Sequence, residues 1–295
     1  MIDVRELSKT YGRARAVDNL TFTVEPGAVT GFLGPNGAGK STTMRIIVGL
    51  DAPTSGSALI DGLRYRDLPH PARTVGAVLD ATAAHPGRTA YNTLLWQAHA
   101  AGIPRARVDE VLDLVGLSYA AGKRVGGFSL GMHQRLGIAS ALLGDPSVLV
   151  LDEPINGLDP EGIRWVRTLL RELASEGRTV LVSSHALAEM AQTAQRLVVI
   201  DRGRLVADTS VDQFVDAYAS TSVYVRAAAP DLLASALDAE GIAYARAGAG
   251  FSIRGRTAEE IGAVAFAHRV QLAELSEHHA SLEDAYLHST EDDRA

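Results

Sequence analysis

Nine consecutive residues, Gly34-Pro35-Asn36-Gly37-Ala38-Gly39-Lys40-Ser41-Thr42, constrain this chain more than any other feature. They follow the continuous apolar run Val29–Leu33 and open the helical stretch Thr43–Val48, so G-x-x-x-x-G-K-[ST] sits in a strand–loop–helix setting. Glycines let backbone N–H groups converge on phosphate oxygens, and the helix N-terminus that follows attracts an anion. Lys40 is then expected on the β- and γ-phosphates of a nucleotide, and the Ser41 hydroxyl on magnesium. Of 28 basic residues only Lys9, Lys40 and Lys123 are lysines. A lysine kept inside this loop is one whose compact ammonium arginine's planar fork does not imitate.

The surrounding pattern is that of an α/β protein. Ile2–Leu7 and Leu20–Glu25 alternate apolar and polar residues as half-buried strands do. Val29–Leu33, Val148–Leu151, Thr179–Ser183 and Leu197–Ile200 are near-continuous apolar runs, as in strands covered on both faces. Helical patterns lie between them at Asn92–Ala101, Val108–Val115, Gln134–Leu143, Pro160–Ser175 and Ala186–Thr193. Alternation of this kind predicts a parallel sheet. Asp201-Arg202-Gly203-Arg204 reads as a hairpin turn leading into a strand at Leu205–Ala207.

The pattern changes near Ala219-Ser220-Thr221-Ser222. Beyond it, Val223–Arg226, Asp231–Glu240, Ala243–Arg246, Phe251–Arg254, Ala258–His268, Leu272–Leu275 and Leu282–His288 read as β-α-β-β-α-β-α, a ferredoxin-like arrangement. Two domains are therefore expected, residues 1–218 and a small α+β appendage at 222–290, with a polar tail at Glu291–Ala295.

Composition narrows the class. The 295 residues are 46% hydrophobic and 21% charged, too apolar for disorder. No apolar run approaches the roughly 18 residues of a membrane span, and MIDVREL lacks the basic and apolar regions of a secretory signal. The absence of cysteine excludes disulfides and thiolate metal sites. A net charge of −7 speaks against a general nucleic-acid binder.

Ser147-Val148-Leu149-Val150-Leu151-Asp152-Glu153-Pro154 is a buried strand ending in two carboxylates, 112 residues beyond Lys40. Asp152 suits a water-mediated hold on magnesium, and Glu153 suits polarising an attacking water. Phe128-Ser129-Leu130-Gly131-Met132-His133-Gln134-Arg135-Leu136 begins shortly before that strand, with Ser129 23 residues ahead of Asp152. Here the chain resembles the ATP-binding-cassette (ABC) ATPases, whose signature L-S-G-G-Q is followed by a helix carrying Q-R. Phe replaces the first leucine, Leu130 the first glycine and Met132 the glutamine, while Ser129 and Gly131 remain.

That resemblance covers about residues 1–215 and implies a P-loop NTPase cassette with a helical signature subdomain. It implies that Ser129 and Gly131 grip the γ-phosphate of ATP bound to a facing subunit. Asn156-Gly157-Leu158-Asp159 resembles the D-loop at the dimer interface, and Val182-Ser183-Ser184-His185 the switch histidine that senses the γ-phosphate. Tyr11 matches the aromatic that stacks on adenine, with Val17 beside it. Ser281–Leu287 is similar to a segment of drug- and polysaccharide-export ATPases.

One position departs from the family. Relatives end the strand equivalent to Val75–Leu79 in a glutamine that touches magnesium and water, whereas this chain has Asp80. Aspartate is shorter and charged, so it must be held by magnesium or by a nearby cation, and Arg88 is the nearest in sequence.

The resemblance implies an ATPase that binds ATP with Mg2+ and works as a homodimer or beside a second cassette. Its partner would be a separate integral membrane subunit, reached from the cytoplasmic face of the membrane, and its cargo drugs, antibiotics or similar amphiphiles. Two other readings stand beside it: a soluble ABC ATPase acting on nucleic acid or ribosomes, and a weakly hydrolysing nucleotide-binding regulator. Against the first stand the single cassette, the absence of heptads and the negative charge. Glu153 and His185 stand against the second, which Asp80 keeps open.

Overall fold

The computed structural model describes residues 1–218, 222–278, 282–283 and 285–286. In chain order the elements are β1 (Ile2–Tyr11), β2 (Ala14–Val24), β3 (Val29–Leu33), α1 (Lys40–Ile47), β4 (Ser55–Ile60), α2 (Pro71–Thr74), β5 (Val75–Val78), α3 (Ala90–Ala100), α4 (Ala106–Leu114) and α5 (Leu130–Leu142). There follow β6 (Val148–Leu151), α6 (Pro160–Ser175), β7 (Thr179–Ser183), α7 (Leu187–Thr193), β8 (Arg196–Asp201), β9 (Arg204–Ser210) and α8 (Val211–Tyr218). The chain divides into two compact units, Met1–Val211 and Asp212–Ala295.

In the first unit a six-stranded sheet runs in the order β5-β6-β7-β3-β8-β9. Its first five strands are parallel, and β9 closes one edge as the antiparallel arm of the hairpin read at residues 201–204. The runs β3, β6 and β7 are buried along their whole length, as strands with both faces covered must be. A second sheet, β2-β1-β4, is antiparallel.

The core joining these layers includes Leu20 and Phe22 of β2, Phe32 of β3, Met44 and Ile47 of α1, and Ile60 of β4. The Phe22 and Phe32 rings lie 5.4 Å apart, stacked at a tilt. Helices α3, α4 and α5 pack on one another, burying Leu94, Val108, Val111 and Leu136. Ligands of open α/β sheets bind outside the carboxyl ends of the strands. Those ends here deliver residues 34–42 after β3, Asp80 after β5, Asp152 and Glu153 after β6, and His185 after β7.

Several boundaries differ from the sequence expectation. β1 and β2 are longer because their register shifts past bulges and continues to the turn at residues 12–13, beyond where strict alternation ends. β4 has little alternation in sequence and owes its place to pairing with β1. α5 begins four residues earlier than expected, at Leu130, because Ser129 caps it by accepting a hydrogen bond from the Met132 N–H at 3.3 Å.

The second unit contains β10 (Ser222–Ala227), α9 (Pro230–Ala239), β11 (Ala245–Ala247), β12 (Gly250–Arg254), α10 (Ala258–Ala267) and β13 (Leu272–His278). Its strand order is β11-β12-β10-β13, with every neighbouring pair antiparallel. This is the split β-α-β pattern of ferredoxin-like folds. Val223, Val225, Leu233, Leu237, Phe251, Ile253 and Ile261 form its core. Thr257 and Glu260 make a reciprocal capping box on α10. Of the expected closing helix 282–288 and the export-like segment 281–287, the described residues 282–283 and 285–286 are helical and the others lie outside the described residues, as does the tail 291–295.

Candidate functional site

The residues after β3 enclose a cleft of about 440 Å³ lined by Tyr11, Ala16, Lys40, Ser41, Asp152 and Glu153, among others. Asn36, Gly37, Gly39 and Thr42 also line it, while Ala38 is buried in the core behind them. Gly39 has φ +105°, and a Cβ there would stand 2.5 Å from the Ala16 carbonyl oxygen. Only glycine therefore closes the loop and starts α1. Lys40 is 8% exposed and donates to the carbonyls of Gly34 at 2.5 Å and Pro35 at 3.2 Å. Burial lowers its pKa, and the charges of Glu153 and Asp152 oppose that shift.

Ser41 Oγ donates to Asp152 Oδ2 at 2.7 Å. Two hard oxygen groups brought this close are the donor type a magnesium ion takes. Ser183, at the end of β7, donates to Asp152 Oδ1 and accepts from the Glu153 N–H at 3.0 Å. It thereby bridges both carboxylate residues. The sequence contained this signal, since a fully buried hydroxyl at a strand end needs partners.

Glu153 has φ +50°, a left-handed conformation that costs a non-glycine residue on the order of 1–3 kcal/mol. Contacts that hold it include the Ser183 bond, the Gln134 Nε2 donating to its carbonyl at 3.1 Å, and His185. His185 Nδ1 lies 2.8 Å from Glu153 Oε2, and the His185 N–H donates to the same oxygen at 3.4 Å.

Tyr11 is 46% exposed at the edge of the cleft, with its ring face under Lys9 Nζ at 4.7 Å. Its hydroxyl donates to Asp51 Oδ2 at 2.9 Å, an oxygen that Arg45 Nε also reaches at 2.9 Å. The Arg45 bond, seconded by the Tyr11 bond, lowers the Asp51 pKa, and the Asp51 bond raises that of Tyr11. Val17 does not share the cleft wall. It is fully buried and packs beneath Gly39, and its neighbour Ala16 lines the cleft instead, because alternation along β2 turns Val17 to the core.

Asp80 also departs from the expectation about its partner. Its Oδ1 accepts from the Thr82 hydroxyl at 2.7 Å and the Thr82 N–H at 2.8 Å. These bonds, with a smaller contribution from the charge of His133, lower its pKa. Arg88 lies instead over the Trp96 ring, at 5.2 Å. A turn bond to a residue two positions on is more local than any distant cation.

Ser129 and Gly131 open α5, and Gly131 packs against Leu158 and the Gly157 carbonyl. Asp159 caps α6 by accepting from the Gly162 N–H at 2.8 Å.

Comparison with known proteins agrees with this geometry. The profile of the ABC transporter family matches residues 17–156, and residues 221–283 match a domain family of unknown function. The bacitracin transport ATP-binding protein BcrA of Bacillus licheniformis is 43% identical over 215 residues, 72% of this chain and 70% of that protein. The lantibiotic transport ATP-binding protein SrtF of Streptococcus pyogenes is 36% identical, over 72% of this chain and 92% of its own length. Among solved structures, the ATP-binding subunit of an ABC transporter superposes with a TM-score of 0.68 at 29% identity, covering 74% of this chain and 93% of that one. A dimeric cassette in a post-hydrolysis state with ADP and Pi gives 0.65 at 27% identity, covering 71% and 98%. With its phosphate loop and strand-end carboxylates at the carboxyl-end edge of the parallel sheet, its signature helix packed against that sheet, and relatives of this likeness, the chain belongs to the ATP-binding subunits of ABC transporters.

Proposed function

We propose that this ABC ATPase hydrolyses ATP with Glu153 as the base that polarises the attacking water and His185 as the group that orients it toward the γ-phosphate. The observation that carries this reading is the connected line Ser41–Asp152–Ser183–Glu153–His185, which joins the phosphate loop to two neighbouring strand ends. Residues 34–42 would wrap the phosphates, with Lys40 turning from the loop carbonyls to the β- and γ-oxygens. Ser41 and Asp152 would hold Mg2+, which supplies positive charge against the triphosphate. Tyr11 would stack on adenine.

Two such chains, or this chain and a second cassette, would enclose ATP between residues 34–42 of one and Ser129 and Gly131 of the other, with Asp159 near the seam. The cargo would be an antibiotic or a similar amphiphile, as the names of the bacitracin and lantibiotic transport relatives suggest, and it would be moved outward. An integral membrane subunit would dock in the groove of about 560 Å³ lined by Leu79, Asp80, Ala84, Thr93, Gln97 and Gly137, and this chain would then lie at the cytoplasmic face of the membrane. Among the described residues no helix is long and apolar enough to cross a membrane.

Co-expression with a six-span membrane protein encoded beside the gene tests the assignment. The two are expected to copurify in detergent, with ATP turnover raised by the complex. An active ATPase that neither binds nor responds to such a protein would end the transporter reading.

A further inference from the structure

We infer that Leu130 and Gly157 are a size-matched pair that locks the signature helix to the segment carrying Glu153, so that one chain's own ATP site and its contribution to the facing site move as one body. The inference rests on the two-cassette reading above.

Leu130 occupies the first position of α5, where the family carries glycine. Its side chain is 49% exposed and projects over Gly157. A Cβ on Gly157 would stand 2.1 Å from Leu130 Cδ2 and 2.5 Å from Cγ. Those separations are far inside van der Waals contact, so any side chain at 157 displaces the leucine from its seat over the segment. Gly157 also has φ +74°, which suits glycine.

The same helix grips the same segment a second time. Gln134 lies one turn beyond Leu130 on the same face and donates to the Glu153 carbonyl at 3.1 Å. That carbonyl also accepts from the Asn156 N–H at 3.1 Å, closing a turn between the two grips. Leu130 and Gln134 thus hold residues 153–157 at both ends. Ser129 and Gly131 flank Leu130 and serve the facing subunit's ATP, whereas Glu153 serves the chain's own. A displacement of Glu153 on ATP binding is transmitted through this clamp to Ser129. Leu130 is in these terms a positioning residue, outside the lining of the nucleotide cleft.

The test is a size-swap cycle read by ATP turnover, with thermal melting and binding of a fluorescent ATP analogue to verify folding. Gly157→Ala overfills the contact, and its turnover should fall at least about fivefold, the lower range of site-to-site coupling. Leu130→Ala in the Gly157→Ala background removes the clash while leaving the backbone strain, so turnover should recover most of that loss. Leu130→Ala alone should leave analogue affinity unchanged and lower the Hill coefficient for ATP toward one, an effect that a merely structural role does not predict.

A double variant as slow as Gly157→Ala overturns the pairing, as does a Leu130→Ala chain with parental turnover and Hill coefficient. If Gly157→Ala does not fold, the Hill coefficient of Leu130→Ala decides alone. The two-cassette reading is tested separately by dilution. A parental rate per chain at a dilution where light scattering shows only monomer overturns that reading, whatever the variants do.

Discussion

Nδ1 of His185 lies 2.8 Å from Oε2 of Glu153, although the two residues follow the ends of different strands. The neighbouring parallel register of β6 and β7 brings them together. The contact orients a carboxylate already held in a left-handed backbone, so the proposed base and its proposed orienter touch without substrate. Glu153→Gln keeps the shape and removes the base. Turnover should fall by about 10²–10⁴-fold while ATP remains bound and stabilises a dimer. His185→Ala should also lose turnover with ATP affinity kept. Parental turnover in Glu153→Gln, measured by phosphate release, would place the base elsewhere.

The site is expected to be shared between chains. Lys40→Ala and Ser129→Arg should each be inactive alone, since every site in such a dimer has one defective half. Mixed together they form heterodimers in which one site has both halves intact, so turnover should reappear on mixing. Lys40→Arg should be inactive as well, because a planar fork does not fit a pocket built around a buried ammonium. Full activity in an isolated monomer, established by light scattering beside the assay, would contradict a shared site.

Asp80 makes a prediction in pH. Its pKa is lowered chiefly by the Thr82 hydroxyl, then by the Thr82 N–H. Stability from this turn is therefore present above the ordinary carboxylate pKa and is lost as pH falls through the lowered folded value. Thr82→Val removes the larger cause and should move the Asp80 titration upward, measured by NMR of its carboxyl carbon. An unmoved titration would show that the hydroxyl bond is absent in solution. Asp80→Gln should hydrolyse ATP at least as fast as the parent, and Asp80→Ala should lose coupling to transport.

Tyr11 is braced from behind by Asp51, which Arg45 holds in turn. Asp51→Ala frees the ring to leave the pose in which we propose it stacks on adenine, and ordering one aromatic side chain costs about 0.5–1.5 kcal/mol. The KM for ATP should rise by roughly twofold to tenfold with kcat unchanged, since the brace touches neither the phosphates nor the base. A fall in kcat at constant KM would show that Asp51 acts by another route.

The phosphate loop, the strand-end carboxylates and the α/β alternation were legible in the sequence because each depends on neighbours within a few residues. A buried strand needs a continuous apolar run, and a loop that cradles phosphate needs glycine at fixed spacing. What lay between distant segments was not legible. β4 is a strand because β1 offers it an edge, and Val17 belongs to the core because β2 begins well before Leu20 and its alternation turns Val17 inward. Arg88, near Asp80 in sequence, stacks on Trp96, while a hydroxyl two residues away satisfies the aspartate. The meeting of Glu153 with His185, the bridge through Ser183 and the seating of Leu130 over Gly157 join parts of the chain 27 to 32 residues apart. Local sequence sets which chemical groups stand at strand ends and helix starts. The order in which strands pair decides which of those groups touch, because only the shared sheet brings their carriers within hydrogen-bonding distance.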